Sequence, residues 1–243
     1  MPEILILSLP TEVQALIVQR VAHNSFGDLY RLRATCKSMH ALADDRGVYA
    51  ALDFFKHPSN VRVSRRLLGR SLREGNPSTL YIKGVDLFYI HESHQEGLAL
   101  IRSAADAGCE RALYTYAMTR KIYDQDDEYL CRFTRESLAE IGMVVRTAEV
   151  NWNWDHWPAF LKKKEVFIET FIPLFYSCPC SAINHQRWTH WDVEHTKAED
   201  MCNSCFMIKE VALFLRDFKP SPVFLAFVIG KICNRFGFLT FTS

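Results

Sequence analysis

Four of the eight cysteines fall within residues 178–205, as Cys178-Pro179-Cys180 and Cys202-Asn203-Ser204-Cys205. Two pairs of soft thiolates about twenty residues apart meet the basic need of a structural zinc site, four ligands from two chain segments converging as a tetrahedron. The second pair leads into Met207, Val211, Phe214, Leu215 and Phe218. That is a helical stripe, so the pair sits at a helix N-terminus, whose dipole favours thiolates. The first pair is tighter than the common spacing of two to four intervening residues. His185 is the alternative to Cys180 as a ligand. The expected set is Cys178, Cys180, Cys202 and Cys205 around one zinc ion, with the choice between Cys180 and His185 left open.

Other chemistries fit these residues less well. A redox Cys-x-x-Cys follows a strand in a βαβ pattern, and none precedes this one. A Cys-His hydrolase needs a nucleophile, a base and a third group to orient the base, and no such set stands out. His185, His190 and His195 lie in a polar stretch and read as exposed. His91-Glu92-Ser93-His94 places its histidines three apart, whereas a zinc protease helix needs them four apart on one face. No Gly-rich phosphate loop, Gly-x-Ser-x-Gly elbow or Walker pattern occurs. The chain is therefore expected not to be an enzyme.

The elements that must position the cysteines are helices. The chain has 243 residues, 49% of them apolar, with only 10 glycines and 9 prolines, which argues against disorder and against turn-dense β architectures. Lys and Arg total 29 and Asp and Glu 28, for a net charge of +1, so neither nucleic acid nor an anionic membrane is an expected partner. The start MPEILILSLP lacks a basic region and reads as no signal peptide. The apolar run Val223 to Ile229 is interrupted by Lys231, Asn234 and Arg235, too short for a membrane span. A reducing compartment, cytoplasm or nucleus, is then the default, and clustered cysteines there suggest metal or plain burial more than disulfides.

The first fifty residues read as three short helices. Ser8-Leu9-Pro10-Thr11-Glu12 opens the first, with Ser8 as cap and Pro10 in the first turn. Val13, Ile17 and Val21 repeat every four residues, and Leu16 widens the stripe. Ser25-x-x-Asp28 starts a second helix. Its stripe of Leu29, Leu32 and Cys36 continues to Met39, Leu42 and Ala43 with a bend near Thr35-Cys36. So few residues make a weak core alone, and a permanent partner would repair that. The order Leu9-Pro10-x-Glu12-Val13, Ile17, Val21, then Asp28-Leu29-x-x-Leu32-Arg33-x-x-Cys36-Lys37, resembles the F-box, here residues 4–55. Thr35 and Met39 depart from the family pattern, which has Val and an aromatic there. The resemblance implies docking on the Skp adaptor of a cullin-RING ubiquitin ligase through Leu9, Pro10, Val13, Ile17, Val21, Leu32, Cys36 and Lys37.

Residues 67–84 and 100–117 match at an offset of 33. Leu67 pairs with Leu100, Leu68 with Ile101, Gly75 with Gly108, Leu80 with Leu113, Tyr81 with Tyr114, and Gly84 with Ala117. Helix-hairpin repeats produce this pattern, because each unit must stack on a neighbour to cover its apolar face. Ala104-Ala105-x-x-Gly108-x-x-x-Ala112-x-Tyr114-x-x-Ala117 is similar to the Sel-type variety of tetratricopeptide repeat. The repeat region is expected over 62–150, with Gly142 marking a remnant third unit and Tyr81 and Tyr114 as packing residues.

Trp152, Trp154 and Trp157 open a Trp- and Cys-rich module at 151–220, followed by an apolar tail at 221–243 of unassigned role. The tryptophans read either as a domain seam or as an aromatic anchor for a target, Trp154 and Trp157 in particular. Lys162-Lys163-Lys164 reads as a solvated face. The combination resembles a plant F-box family that joins an F-box to Sel-like repeats and a Cys-pair segment. The fold expectation is mainly α: a three-helix F-box, helix-hairpin repeats and a small, Cys-rich, zinc-binding C-terminal module. The resemblance implies a non-catalytic substrate receptor of a Skp–cullin–F-box ubiquitin ligase recruiting a protein target. The rival reading is a zinc-stabilised scaffold or nucleic-acid-binding module unrelated to ubiquitin.

Overall fold

Pro10 rather than Ser8 starts the first helix in the computed structural model, which describes residues 6–56, 64–146, 158–180 and 201–218. Ser8 closes a short 3-10 turn, Ile6–Ser8, and the carbonyl of Pro10 accepts from the N–H groups of Val13 and Gln14. All regular structure among the described residues is helical. The residues fall into two compact units, 6–83 and 84–218.

The first unit begins with α1 (Thr11–Asn24), which buries Gln14, Val18 and Ala22. Ser25 is extended, and its Oγ accepts from the Asp28 N–H, which starts α2 (Phe26–Arg33) as the Ser-x-x-Asp pattern requires. The expected bend at Thr35-Cys36 is a full break before α3 (Lys37–Ala43). A fourth helix, α4 (Arg46–Ala51), is added to the three expected, capped by the Asp45 carboxylate on the Gly47 N–H, and packs on α1. It supplies what three helices lacked: Val48, Tyr49 and Leu52 join Val18, Phe26, Leu29 and Met39 in the core. Asp44 ties the helices together. Its carboxylate accepts a bidentate pair from Arg33 at 2.9 and 3.0 Å and a bond from the Tyr49 hydroxyl, while its carbonyl accepts from Arg70. Charge-assisted, two-pronged bonds of this kind fix orientation as well as distance.

Ser64 caps α5 (Arg65–Arg73) through the Leu67 N–H, and α6 (Pro77–Val85) follows. The sequence repeat is also a repeat of backbone geometry. Gly75 has φ +72° and Gly108 φ +87°, the left-handed conformation that ends a helix at little cost only for glycine. The next residue in each copy donates back across the turn, Asn76 to Ser71 and Cys109 to Ala104. The side chain of Asn76 adds a second set of bonds, its amide donating to the carbonyls of Tyr49, Ala50 and Leu52 and so fastening α6 to the end of α4.

In the second unit a π-helical turn, Asp86–Ile90, precedes α7 (His94–Asp106) and α8 (Glu110–Asp124). Gly84 and Gly97 meet backbone to backbone. A Cβ on Gly84 would lie 2.8 Å from the Ile101 nitrogen, and one on Gly97 2.5 Å from the Phe88 nitrogen. Ala104, Ala112 and Ala117 are fully buried, as are Ile101 and Tyr114, so the small residues do bring helices together and Tyr114 does pack. Tyr81 is buried likewise. Behind α8 lie α9 (Arg135–Arg146), α10 (Pro158–Ser177) and α11 (Asn203–Asp217). Gly142 is not the turn glycine of a third repeat. It sits within α9, where a Cβ would lie 2.8 Å from the Tyr114 hydroxyl, so its lack of a side chain lets α8 and α9 approach.

Candidate functional site

Two sets of residues carry the chemistry, one in each unit. In the first unit α1 divides its surface sharply. On a helix turning about 100° per residue, Gln14, Val18 and Ala22 form the buried sector, and Val13, Leu16, Ile17 and Arg20 lie away from it. Leu16 is 63% exposed, Leu7 56% and Val13 39%. Ile17 and Val21 are half-buried. The stripe Val13, Ile17, Val21 is therefore not the one the fold consumes; the polar Gln14 is buried instead because its amide donates to the carbonyls of Leu9 and Leu7, at 2.8 and 3.4 Å. Those bonds fasten the segment around Leu9 and Pro10 to the helix. Leu9 is half-buried and Pro10 exposed. At the α2–α3 break Leu32 and Cys36 are half-buried and Lys37 is exposed. Tyr30 adds an exposed ring that the sequence pattern did not single out. Such an arrangement offers apolar surface without using it in the core, which is what a permanent interface requires.

In the second unit Cys178 and Cys180 occupy the turn after α10, Cys202 is the N-cap of α11 and Cys205 lies in its first turn. All four sulfurs are within 4.8 Å of one another. Cys178 Sγ is 3.4 Å from Cys180 Sγ and 3.8 Å from Cys202 Sγ. These are not disulfides, whose sulfurs lie about 2.05 Å apart. Four sulfurs each about 2.3 Å from a central ion at tetrahedral angles lie about 3.8 Å from each other, so the donor set fits a tetrathiolate metal site. Thus the four cysteines close together could hold a metal ion, and the tight Cys-x-Cys spacing is no obstacle because the turn after α10 directs both thiols to one point. The Cys205 N–H donates to Cys202 Sγ at 3.5 Å. That bond, with the neighbouring thiols, lowers the Cys202 pKa to about 7, whereas burial, then the other thiols, pushes Cys205 up.

Arg135, the first residue of α9, grips the same knuckle. Its guanidinium donates to the Met201 carbonyl at 2.7 Å and through Nε to Asn203 Oδ1 at 3.0 Å, and it stacks over Phe206. Beside it a cavity of about 510 Å³ is lined by Leu130, Phe133, Phe167, Phe171, Phe206 and Met207, with Lys121 and Asp127 paired at its edge. Deeper still, Arg146 donates to Glu210 Oε2 and to the Tyr114 hydroxyl, both at 2.8 Å. Arg146 and Glu210 are 9% and 2% exposed.

Sequence reasoning misses Arg135, Arg146 and Glu210, because nothing in spacing relates residues more than sixty positions apart. It also reads the three lysines at 162–164 as one solvated face, which the structure corrects. Lys162 is exposed, but Lys163 covers the Tyr123 ring and burial lowers the pKa of Lys164. The target anchors Trp154 and Trp157, the seam residue Trp152 and the alternative ligand His185 lie outside the described residues. No described helix is long and apolar enough to cross a membrane.

Comparison with known proteins bears on the same regions. Residues 52–143, from the end of the F-box-like helices into α9, match the plant tetratrico peptide repeats. An F-box protein of Arabidopsis thaliana is 30% identical over 115 residues, 46% of this chain and 70% of that protein. No solved structure matches.

Proposed function

This chain belongs to the F-box protein family that its Arabidopsis relative represents, and from that premise we propose that it is a substrate receptor of a Skp–cullin–F-box ubiquitin ligase. One observation carries the reading: α1 buries Gln14, Val18 and Ala22 and leaves Val13 and Leu16, with Leu7 before them, in water. The adaptor takes this face, with Leu9, Pro10, Ile17, Val21, Leu32, Cys36 and Lys37 around it. The receptor does no chemistry on its target, and transfer of ubiquitin belongs to its partners. The Sel-like repeats and the region of Trp154 and Trp157 present the protein target. The thiol centre holds one structural zinc, since four thiolates suit this soft, redox-inert ion. The receptor works in the cytoplasm, the nucleus or both.

The test is binding of the purified chain to a panel of Skp-type adaptors, before and after changing Leu9 and Pro10 to Ala. Central interface residues typically contribute about 2 kcal/mol or more. Tight binding that the double change weakens supports the reading, and equal binding by both proteins, or by neither, refutes it.

A further inference from the structure

The thiol centre stands where three walls of one groove meet. Cys178 and Cys180 lie in the turn after α10, which supplies Phe167 and Phe171. Cys202 and Cys205 begin α11, which supplies Phe206 and Met207. Arg135 begins α9 and holds Met201 and Asn203, the residues on either side of Cys202. An ion bound by the four thiolates is thus tied directly to two walls and, through one guanidinium, to the third.

We propose that this ion is the clasp of the groove: its binding decides whether the walls stay assembled, independently of the adaptor face. The inference rests on the zinc reading given above and adds what the ion controls. Closing the chain between Cys180 and Cys202 costs loop entropy, because 21 residues intervene. In the metal-free centre the two cysteine pairs meet through weak thiol contacts, Cys178 with Cys180 at 3.4 Å and with Cys202 at 3.8 Å. Arg135 ties α9 to the α11 side of the centre, its bonds going to the Met201 carbonyl and the Asn203 side chain. Metal binding releases the remaining thiol protons and replaces the weak thiol contacts by four metal–sulfur bonds, coupling ligation to local order. The opening is local because α11 is also held further along, by the Arg146–Glu210 pair and by the ring contacts of Phe214 with Tyr114 at 5.9 Å and of Phe218 with Tyr89 at 5.1 Å.

Hydrogen exchange on the full chain, read beside its zinc content by elemental analysis, tests this. Zinc-loaded protein should hold about one equivalent. Stripping it with a chelator should raise exchange at least about tenfold in residues 135–138, 167–174 and 203–208, leave 11–51 unchanged, and be reversed by one equivalent of zinc alone. Arg135→Gln keeps the four ligands, so it should retain the zinc yet loosen residues 135–138 selectively. Zinc loss without faster exchange at the three walls overturns the clasp and leaves the zinc reading intact. A chain that never holds zinc overturns both. Loss of protection across 11–51 as well overturns the local clasp. Adaptor binding, measured on the same samples, bears on the receptor reading alone.

Discussion

Replacing Leu7, Val13 and Leu16 together by Ala asks whether the exposed edge of α1 is an interface. Fully burying a large aliphatic side chain contributes about 1.5–3 kcal/mol. With 56% and 63% of Leu7 and Leu16 still in water, an adaptor that covered each would gain about 1–2 kcal/mol from it. Val13, at 39%, adds about 0.6–1 kcal/mol. The sum is about 2.5–5 kcal/mol, and because Ala keeps its Cβ the lower end applies, a loss of about two orders of magnitude in affinity. Folding should hardly notice, since exposed positions change stability by about 0.5 kcal/mol or less each. Val18→Ala is the control. Fully buried on the neighbouring sector, it should cost about 1–3 kcal/mol of stability by opening a cavity. Calorimetric titration with a Skp-type adaptor, paired with denaturant unfolding, separates the two effects. Unchanged affinity in the triple variant would refute the reasoning, and so would unfolding at lower denaturant than Val18→Ala, because the edge would then belong to the core.

Glu210→Leu should lower stability by about 3–5 kcal/mol by stranding Arg146 in the interior, whereas adding Arg146→Met should restore most of the loss; chemical denaturation of both variants reads this, and equal losses would count against a buried pair. Zinc affinity should fall as pH is lowered from 8 to 6, because Cys205 is held protonated by burial and even Cys202, near 7, gains its proton there; competition with a chromophoric chelator measures it. Tyr123 is pushed up to about 12 by burial, with Glu92 adding to the effect, so its phenolate should appear only about two units above an ordinary tyrosine. The folded state prefers the neutral phenol, so this stabilisation is complete below about 10 and lost as pH rises to about 12. Ultraviolet titration of wild type against Tyr123→Phe checks the missing step. Gly97→Ala should be among the most damaging single-methyl additions, since its neighbour is the Phe88 backbone, which cannot rotate away; a melting temperature within a degree or two of wild type would contradict this.

Local rules were enough wherever one residue meets its near neighbours. Ser25 and Ser64 cap their helices, Gly75 and Gly108 turn the chain at equivalent places, and Cys202-x-x-Cys205 opens a helix. Each of these depends on backbone groups within a few positions, so the amino-acid sequence by itself determined them, along with the mainly α class and the repeat. Which face of α1 stays free was not decided in this way. The sector assignment depends on α4, a helix with too few residues to show a period, and on the bonds that let Gln14 be buried. Gly142 reads from spacing as the mark of a remnant third repeat and serves as a helix contact, because only packing reveals the Tyr114 hydroxyl beside it. The Cys178-x-Cys180 spacing is tighter than that of common ligand pairs, and only the end of α10 brought to the start of α11 places both thiols beside Cys202 and Cys205. Arg135 and Arg146 find their partners 64 to 68 positions away, and no spacing rule spans such distances. Those pairings exist because burying an apolar face forces certain helix ends together, and the charges and thiols carried on those ends must then satisfy one another.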